Sequence, residues 1–324
     1  YVHNFDDPGC PRNAEYQKQL YGWAADPDRH YRGGLCIGEY YNVSGYKCLP
    51  ICLMHTMAND LPHFYKVGAR QFQYMHVTTG HWGTKALTNY QMARQLWDVE
   101  TDCPALWDDY FSRRYGPAAE RMRAFYQSLE TMFCNVSELK YGLCSRLSKG
   151  NSDLFPDSIM KYAPEDGGLG PSFIEIVEAS KECRTTIDTV QAMDLPERIA
   201  ARIAEDERMF TYGERTIAFY DALVRAYNAV RENRADDARK AYKEASTLAE
   251  VLRADKTSAT MSSSHANASD AYEAARATGA LSRLSEILGP LEPDEVSVLD
   301  LGSGPAVLKG NAFDGGGAVV HGYH

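Results

Sequence analysis

No run of apolar residues in this chain approaches the roughly 20 needed to cross a bilayer. The longest candidate, Cys48 to Met54, is interrupted by Pro50. Clustered basic residues are equally scarce, with nothing beyond short pairs such as Arg113-Arg114, and the formal net charge is −10 with a pI near 5.4. Phosphate backbones are bound by clustered Lys and Arg, so neither nucleic acid nor a membrane is an expected partner. The catalytic signatures that short motifs can carry are also missing: no HExxH, no G-x-S-x-G elbow and no P-loop. Eight cysteines spread from Cys10 to Cys183 are too dilute and irregular for a disulfide framework and leave the compartment open, secreted and periplasmic included. Three Asn-x-Ser triplets, at Asn42, Asn135 and Asn267, carry little weight because such triplets arise by chance.

What is present is an ordinary globular composition. Hydrophobic residues make up 44% and charged residues 24% of 324 residues, enough to fill a core and more than one core usually takes, so about two domains are expected. The chain opens on Tyr rather than Met, without a basic segment followed by an apolar one, and the expectation is that its true N-terminus lies further upstream.

The first hundred residues alternate strand-like and helix-like runs, the pattern of β/α units building a parallel sheet. Tyr1 to Phe5, Leu35 to Tyr41 and Arg70 to Val77 read as strands. Asn13 to Ala25, Leu53 to Val67 and Ala86 to Trp97 read as helices, the second with a kink at Pro62. In a parallel β/α barrel the loops after the strand C-termini carry the active site. The candidates there are His3, Asn4, Glu39, Tyr40, Tyr41, His76, His81 and Trp82. Three strands cannot close an eight-stranded barrel, so residues 1–99 read as its final portion.

From about Asp102 helices dominate: Ala105 to Arg114, Ala118 to Leu147, Ser172 to Met193, Pro196 to Arg231 and Asp236 to Arg253, with Gly213 as an expected interruption of the longest. A polar loop near 255–269 precedes one more helix, from about Asp270 to Leu288, which completes an α-helical domain over 100–290, and 291–324 form a Gly-rich tail. The fold class is thus α/β followed by all-α.

Glu39-Tyr40-Tyr41 is the most suggestive chemistry, since sugar hydrolysis uses a carboxylate as proton donor and aromatic rings as platforms for pyranose faces. The competing reading is a Glu held in a structural ion pair. Cys48-x-x-x-Cys52-x-x-His55 lacks a second ligand pair and favours buried thiols over zinc, and His76 and His81 imply no fixed metal scaffold. No metal and no cofactor are expected. Val296 to Gly304 imitates a Gly-rich nucleotide turn, but too little chain follows for the β/α units such a site needs. The aromatic residues Phe210, Tyr212, Phe219, Tyr220 and Tyr227 read as helix-face packing.

The stretch Leu96-Trp97-Asp98-Val99-Glu100-Thr101-Asp102, through Asp108-Asp109-Tyr110-Phe111, to Tyr115-Gly116-Pro117-Ala118-Ala119 resembles a bacterial family catalogued as domain of unknown function 4838. Asp7-Pro8-x-Cys10-x-x-Asn13, Trp23 and Glu39-Tyr40-Tyr41 look like its late barrel region, so the resemblance covers roughly residues 1–165. Members are similar to glycoside hydrolase family 163, which implies a TIM-type barrel and an endo-β-N-acetylglucosaminidase acting on complex N-glycans. They are also described as α-glucuronidase-like. Carried over, the resemblance implies Glu39 as the catalytic carboxylate, His3, Asn4, Tyr40, Tyr41, His76 and Trp82 around a glycan substrate, and a second carboxylate upstream of Tyr1. A non-catalytic carbohydrate-binding or helical interaction module is the remaining alternative, since the earlier barrel strands are missing from this chain.

Overall fold

The computed structural model describes residues 5–6, 11–24, 34–39, 41, 49–74, 82–133, 173–254 and 285. Helix α1 spans Pro11–Ala24, and strands β1 (Leu35–Glu39) and β2 (Ala69–Tyr74) flank helix α2 (Met54–Lys66). The strands pair in parallel, with Ile37 opposite Phe72 and Glu39 opposite Tyr74. The expected strand over residues 1–5 falls outside the described residues, apart from Phe5 in a turn. Helix α1 starts two residues before the expected Asn13, because Pro11 is at home in a first turn, where its missing N–H costs nothing.

Helix α2 continues past Pro62 to Lys66. A proline leaves the carbonyl four residues earlier without its helical donor, and here Gln95 Nε2 reaches that carbonyl, of Ala58, at 3.5 Å. The start of α2 is also finished by a distant residue. Leu53 offers no side-chain cap, and Glu130 accepts the His55 backbone N–H at 3.0 Å and its Nδ1 at 2.6 Å. Helix α3 (Lys85–Trp97) packs on α2 through buried Gln91, whose amide donates to Met54 O at 2.8 Å and to Gln95 Oε1 at 3.0 Å. The Gln91 carbonyl accepts Trp107 Nε1 from helix α4 (Cys103–Tyr115) at 2.8 Å, so one fully buried amide ties three helices.

Asp102 caps α4 by accepting from Ala105 N, and Gly116, at φ +51°, ends it. Helix α5 (Ala119–Phe133) follows after one 3-10 turn. The expected continuation to Leu147 lies outside the described residues. Helices α6 (Phe173–Gln191), α7 (Glu197–Arg231) and α8 (Ala235–Ala254) complete the described chain.

Helix α7 has 35 residues and spans about 52 Å. It ends in a Schellman turn, where Asn233 takes φ +57° while Arg234 N donates to Ala229 O and Asn233 N to Val230 O. The antiparallel return, α8, lies against it through buried Ala222, Ala226 and Ala229 on one side and Ala238, Ala241, Ala245 and Ala249 on the other. Such small side chains let two helix backbones approach closely. Along its length α7 also receives α6, through Arg184 bonded to Glu207 and Glu214, and α4.

The buried apolar cluster runs unbroken from Tyr41 and Leu49 in the strand-bearing region to Leu252 in α8. Gly213 does not interrupt α7, contrary to the expectation from sequence. A Cβ there would lie 2.6 Å from Phe133 Cζ and 2.8 Å from Pro50 Cδ, so this glycine admits α5 and the segment before α2 to the helix surface. Alanine is the better helix former by about 1 kcal/mol, yet the overlap outweighs it. Gly213→Ala is expected to destabilise the protein by about 1–3 kcal/mol in urea unfolding, whereas unchanged or raised stability would mean that the contact is loose.

Candidate active site

Glu39 closes β1 and lies opposite Tyr74, which closes β2, so the parallel register brings both strand ends to one edge. Glu39 is half-buried. Two residues on, Tyr41 is buried, with its ring stacked on Phe72 at 6.4 Å and tilted against Tyr74 at 6.5 Å. The Tyr41 hydroxyl is enclosed, with no hydrogen-bond partner among the described residues.

From α2 comes Asp60, also buried, which accepts the Phe5 backbone N–H at 2.7 Å and Asn59 Nδ2 at 3.2 Å. Asn59 Nδ2 donates as well to Asp6 Oδ1 at 2.8 Å. One turn along α2, His63 Nε2 lies 3.0 Å from the Tyr21 hydroxyl and its Nδ1 3.6 Å from Asp6 Oδ2. Phe5 packs its ring on Phe64 and His63, which fixes the backbone N–H that Asp60 receives.

Burial sets the electrostatics. Desolvation pushes the Glu39 carboxyl up to about 7, and the Asp60 charge adds to the rise. Asp60 is itself raised by burial to about 6, against the stabilising bonds from Phe5 and Asn59. Tyr41 is driven well above the ordinary phenol range by burial first, then by Glu39 and Asp60, and stays a neutral O–H donor. A carboxyl raised to about 7, with a second raised to about 6 and a neutral phenol nearby, is the kind of group that general acid–base catalysis uses.

Of the residues expected at the site, Glu39 and Tyr41 come together. Tyr41 serves as a buried wall rather than an exposed sugar platform, because Phe72 and Tyr74 already cover its ring. His3, Asn4, Tyr40, His76 and His81 lie outside the described residues. Trp82 is 52% exposed, and its backbone N–H donates to Glu205 Oε1 of α7 at 2.9 Å. Sequence reasoning passed over Asp60 and Tyr74. Asp60 left a signal: it occupies the face of α2 marked by Met57, Leu61 and Phe64, where a carboxylate is out of place.

Metal chemistry finds no scaffold among the described residues, where no three His, Cys, Asp or Glu side chains converge. Cys52 is buried with its thiol pushed well up by desolvation, and His55 is engaged by Glu130.

A second buried acid is built differently. Asp206 of α7 is fully enclosed and accepts the Tyr115 hydroxyl at 2.5 Å and the Tyr126 hydroxyl at 3.4 Å, with Arg114 Nη2 at 3.9 Å. Desolvation outweighs Arg114 and the two hydroxyls and pushes Asp206 up to about 7. Because it joins α4, α5 and α7 with no route to solvent, it is a packing device.

Both acids give measurable consequences. A carboxyl raised in the folded state stabilises fully below its unfolded value near pH 4, and that contribution is lost as pH rises through about 7. Asp206→Asn is therefore expected to flatten the fall in urea-unfolding stability between pH 4 and 7, and an unaltered slope would exclude Asp206 as its source. At the strand edge, Asp60→Asn keeps an acceptor for Phe5 but removes a charge. The Glu39 carboxyl, followed by carbon NMR, is expected to titrate lower than in the parent while staying above an exposed glutamate, since desolvation persists. A titration that does not move would separate the two carboxyls.

Compared with known proteins, the chain matches no family model, no curated protein and no solved structure.

Proposed function

We propose that this chain is part of a glycoside hydrolase acting on a GlcNAc-containing glycan, in the manner of an endo-β-N-acetylglucosaminidase, with the β1–α2–β2 unit belonging to the closing portion of a (β/α)8 barrel. The observation that carries this reading is the carboxyl of Glu39, at the C-terminal end of a parallel strand and held protonated up to about pH 7 by burial and by Asp60. Such a group can give its proton to a glycosidic oxygen at neutral pH, where an exposed glutamate has already lost it.

Asp60 then has one role in the proposal: its charge keeps the Glu39 proton in place. The Tyr41 hydroxyl supplies a donor with no acceptor among the described residues. The α-glucuronidase alternative needs a cation for the uronate. Arg70 stands near the start of β2, about 13 Å along the strand from Tyr74, and spends its guanidinium on the Tyr65 and Ala69 carbonyls and the Tyr65 ring. With no other cation placed at the strand edge among the described residues, the GlcNAc reading is the one we favour.

The test is release of complex N-glycans by the protein as its gene encodes it. Glu39→Gln is expected to cut kcat by about 10²- to 10⁴-fold, the usual worth of a positioned general acid. The parent rate is expected to fall as pH rises through about 7, as the proton leaves Glu39. Full activity in Glu39→Gln would remove Glu39 from the mechanism.

A further inference from the structure

Trp82 reaches solvent from a backbone that is held unusually firmly. Its N–H donates to Glu205 Oε1 at 2.9 Å, across 123 residues of sequence. The next residue, Gly83, has φ +43°, and a Cβ there would lie 2.0 Å from Met209 Sδ and 3.3 Å from Glu205 O. Thr84, fully buried, points its hydroxyl at Met209 Sδ at 3.8 Å. Three consecutive residues at the entrance to α3 are thus seated on one turn of α7.

Glu205 also faces α4: its other oxygen lies 3.6 Å from Arg114 Nη2, the guanidinium that also faces buried Asp206, and Arg202 of α7 donates to the Arg114 backbone carbonyl at 2.8 Å. The carboxylate that receives Trp82 therefore lies in the field of an α4 cation. An aromatic ring on an immobilised backbone is a preorganised platform for the apolar face of a sugar, since little freedom is left to lose on binding.

We propose that Glu205 is a positioning residue for the glycan site, with the helical region setting the placement of the Trp82 ring through the Trp82 N–H to Glu205 bond and the Gly83–Met209 contact. This rests on the reading of the protein as a glycan hydrolase with Trp82 at the substrate. It gives the helices α4 and α7 a part in substrate binding rather than in folding alone.

The experiment uses the whole gene product, with a complex-type N-glycan as substrate and amide hydrogen exchange of the peptide covering 82–84 as a second readout. Glu205→Ala is expected to raise KM about tenfold with kcat nearly unchanged, and to speed exchange at 82–84. Glu205→Gln keeps a carbonyl acceptor and is expected to behave like the parent in both. Trp82→Ala is expected to raise KM to the same degree, and the double variant with Glu205→Ala to add nothing further. Additive losses in the double variant, or a Glu205→Gln as defective as Glu205→Ala, would overturn the proposal. So would lost protection at 82–84 without a change in KM. Unchanged exchange in Glu205→Ala would refute the tether itself, whatever the activity. A parent that releases no glycan would sink the hydrolase reading and this proposal's substrate role with it, while the exchange data still decide whether Glu205 holds Trp82.

Discussion

Helix α7 is the surface on which α4, α6, α8 and the entrance to α3 meet. It can play that part because its side chains vary in size along its length according to what each level must admit. Gly213 lets Pro50 and Phe133 in, Met209 receives Gly83, and Ala222, Ala226 and Ala229 bring α8 close. Arg184 of α6 is gripped by Glu207 and Glu214, two turns apart on a different face. A helix of 35 residues is marginal in isolation and gains most of its stability from packing. These neighbours supply it, and α5 joins two of them, α4 and α6, from the other side.

The strand-bearing region shows the same dependence at a smaller scale. A two-stranded parallel sheet is not stable alone, so β1 and β2 rely on α2 and on the apolar cluster beneath it. Helix α2 relies on α5 for its N-terminal cap, through Glu130, and on α3 for the carbonyl that Pro62 orphans, through Gln95. The position of Asp60, and therefore the charge felt by Glu39, is fixed by groups remote in sequence. The candidate site is a product of packing between the two regions.

That dependence explains what could be read from the sequence. Helix existence was legible almost throughout, because α2, α5 and α8 have apolar residues at three- and four-residue spacing, and the Asp102 cap and Gly116 stop around α4 are local signals. The strands Leu35–Glu39 and Ala69–Tyr74 were legible as well, and with them the placement of Glu39 at a strand end. Gly213 misled because its local tendency to interrupt a helix was answered by contacts at Phe133 and Pro50, while Pro62 stands inside α2 with Gln95 at the carbonyl it orphans. Glu205 left no trace, since an acidic residue on a long charged helix looks like a solvated one until the fold brings Trp82 to it.

Asp206 and Glu39, both raised by desolvation, sharpen the difference between structure and chemistry. Asp206 and Glu39 are both raised to about 7, so their pKa values alone do not distinguish them. Their surroundings do. Asp206 lies at the centre of a helix junction and is met by two tyrosine hydroxyls and an arginine, with no exposed surface through which a substrate could reach it. Glu39 is half-buried at a sheet edge, in the field of a second carboxyl and near a phenol that has no partner among the described residues. Asp206 holds α4, α5 and α7 together through its bonds to Tyr115 and Tyr126. Under the proposed hydrolase reading, the partial exposure of Glu39 at a strand end is what would let a proton held at neutral pH be delivered.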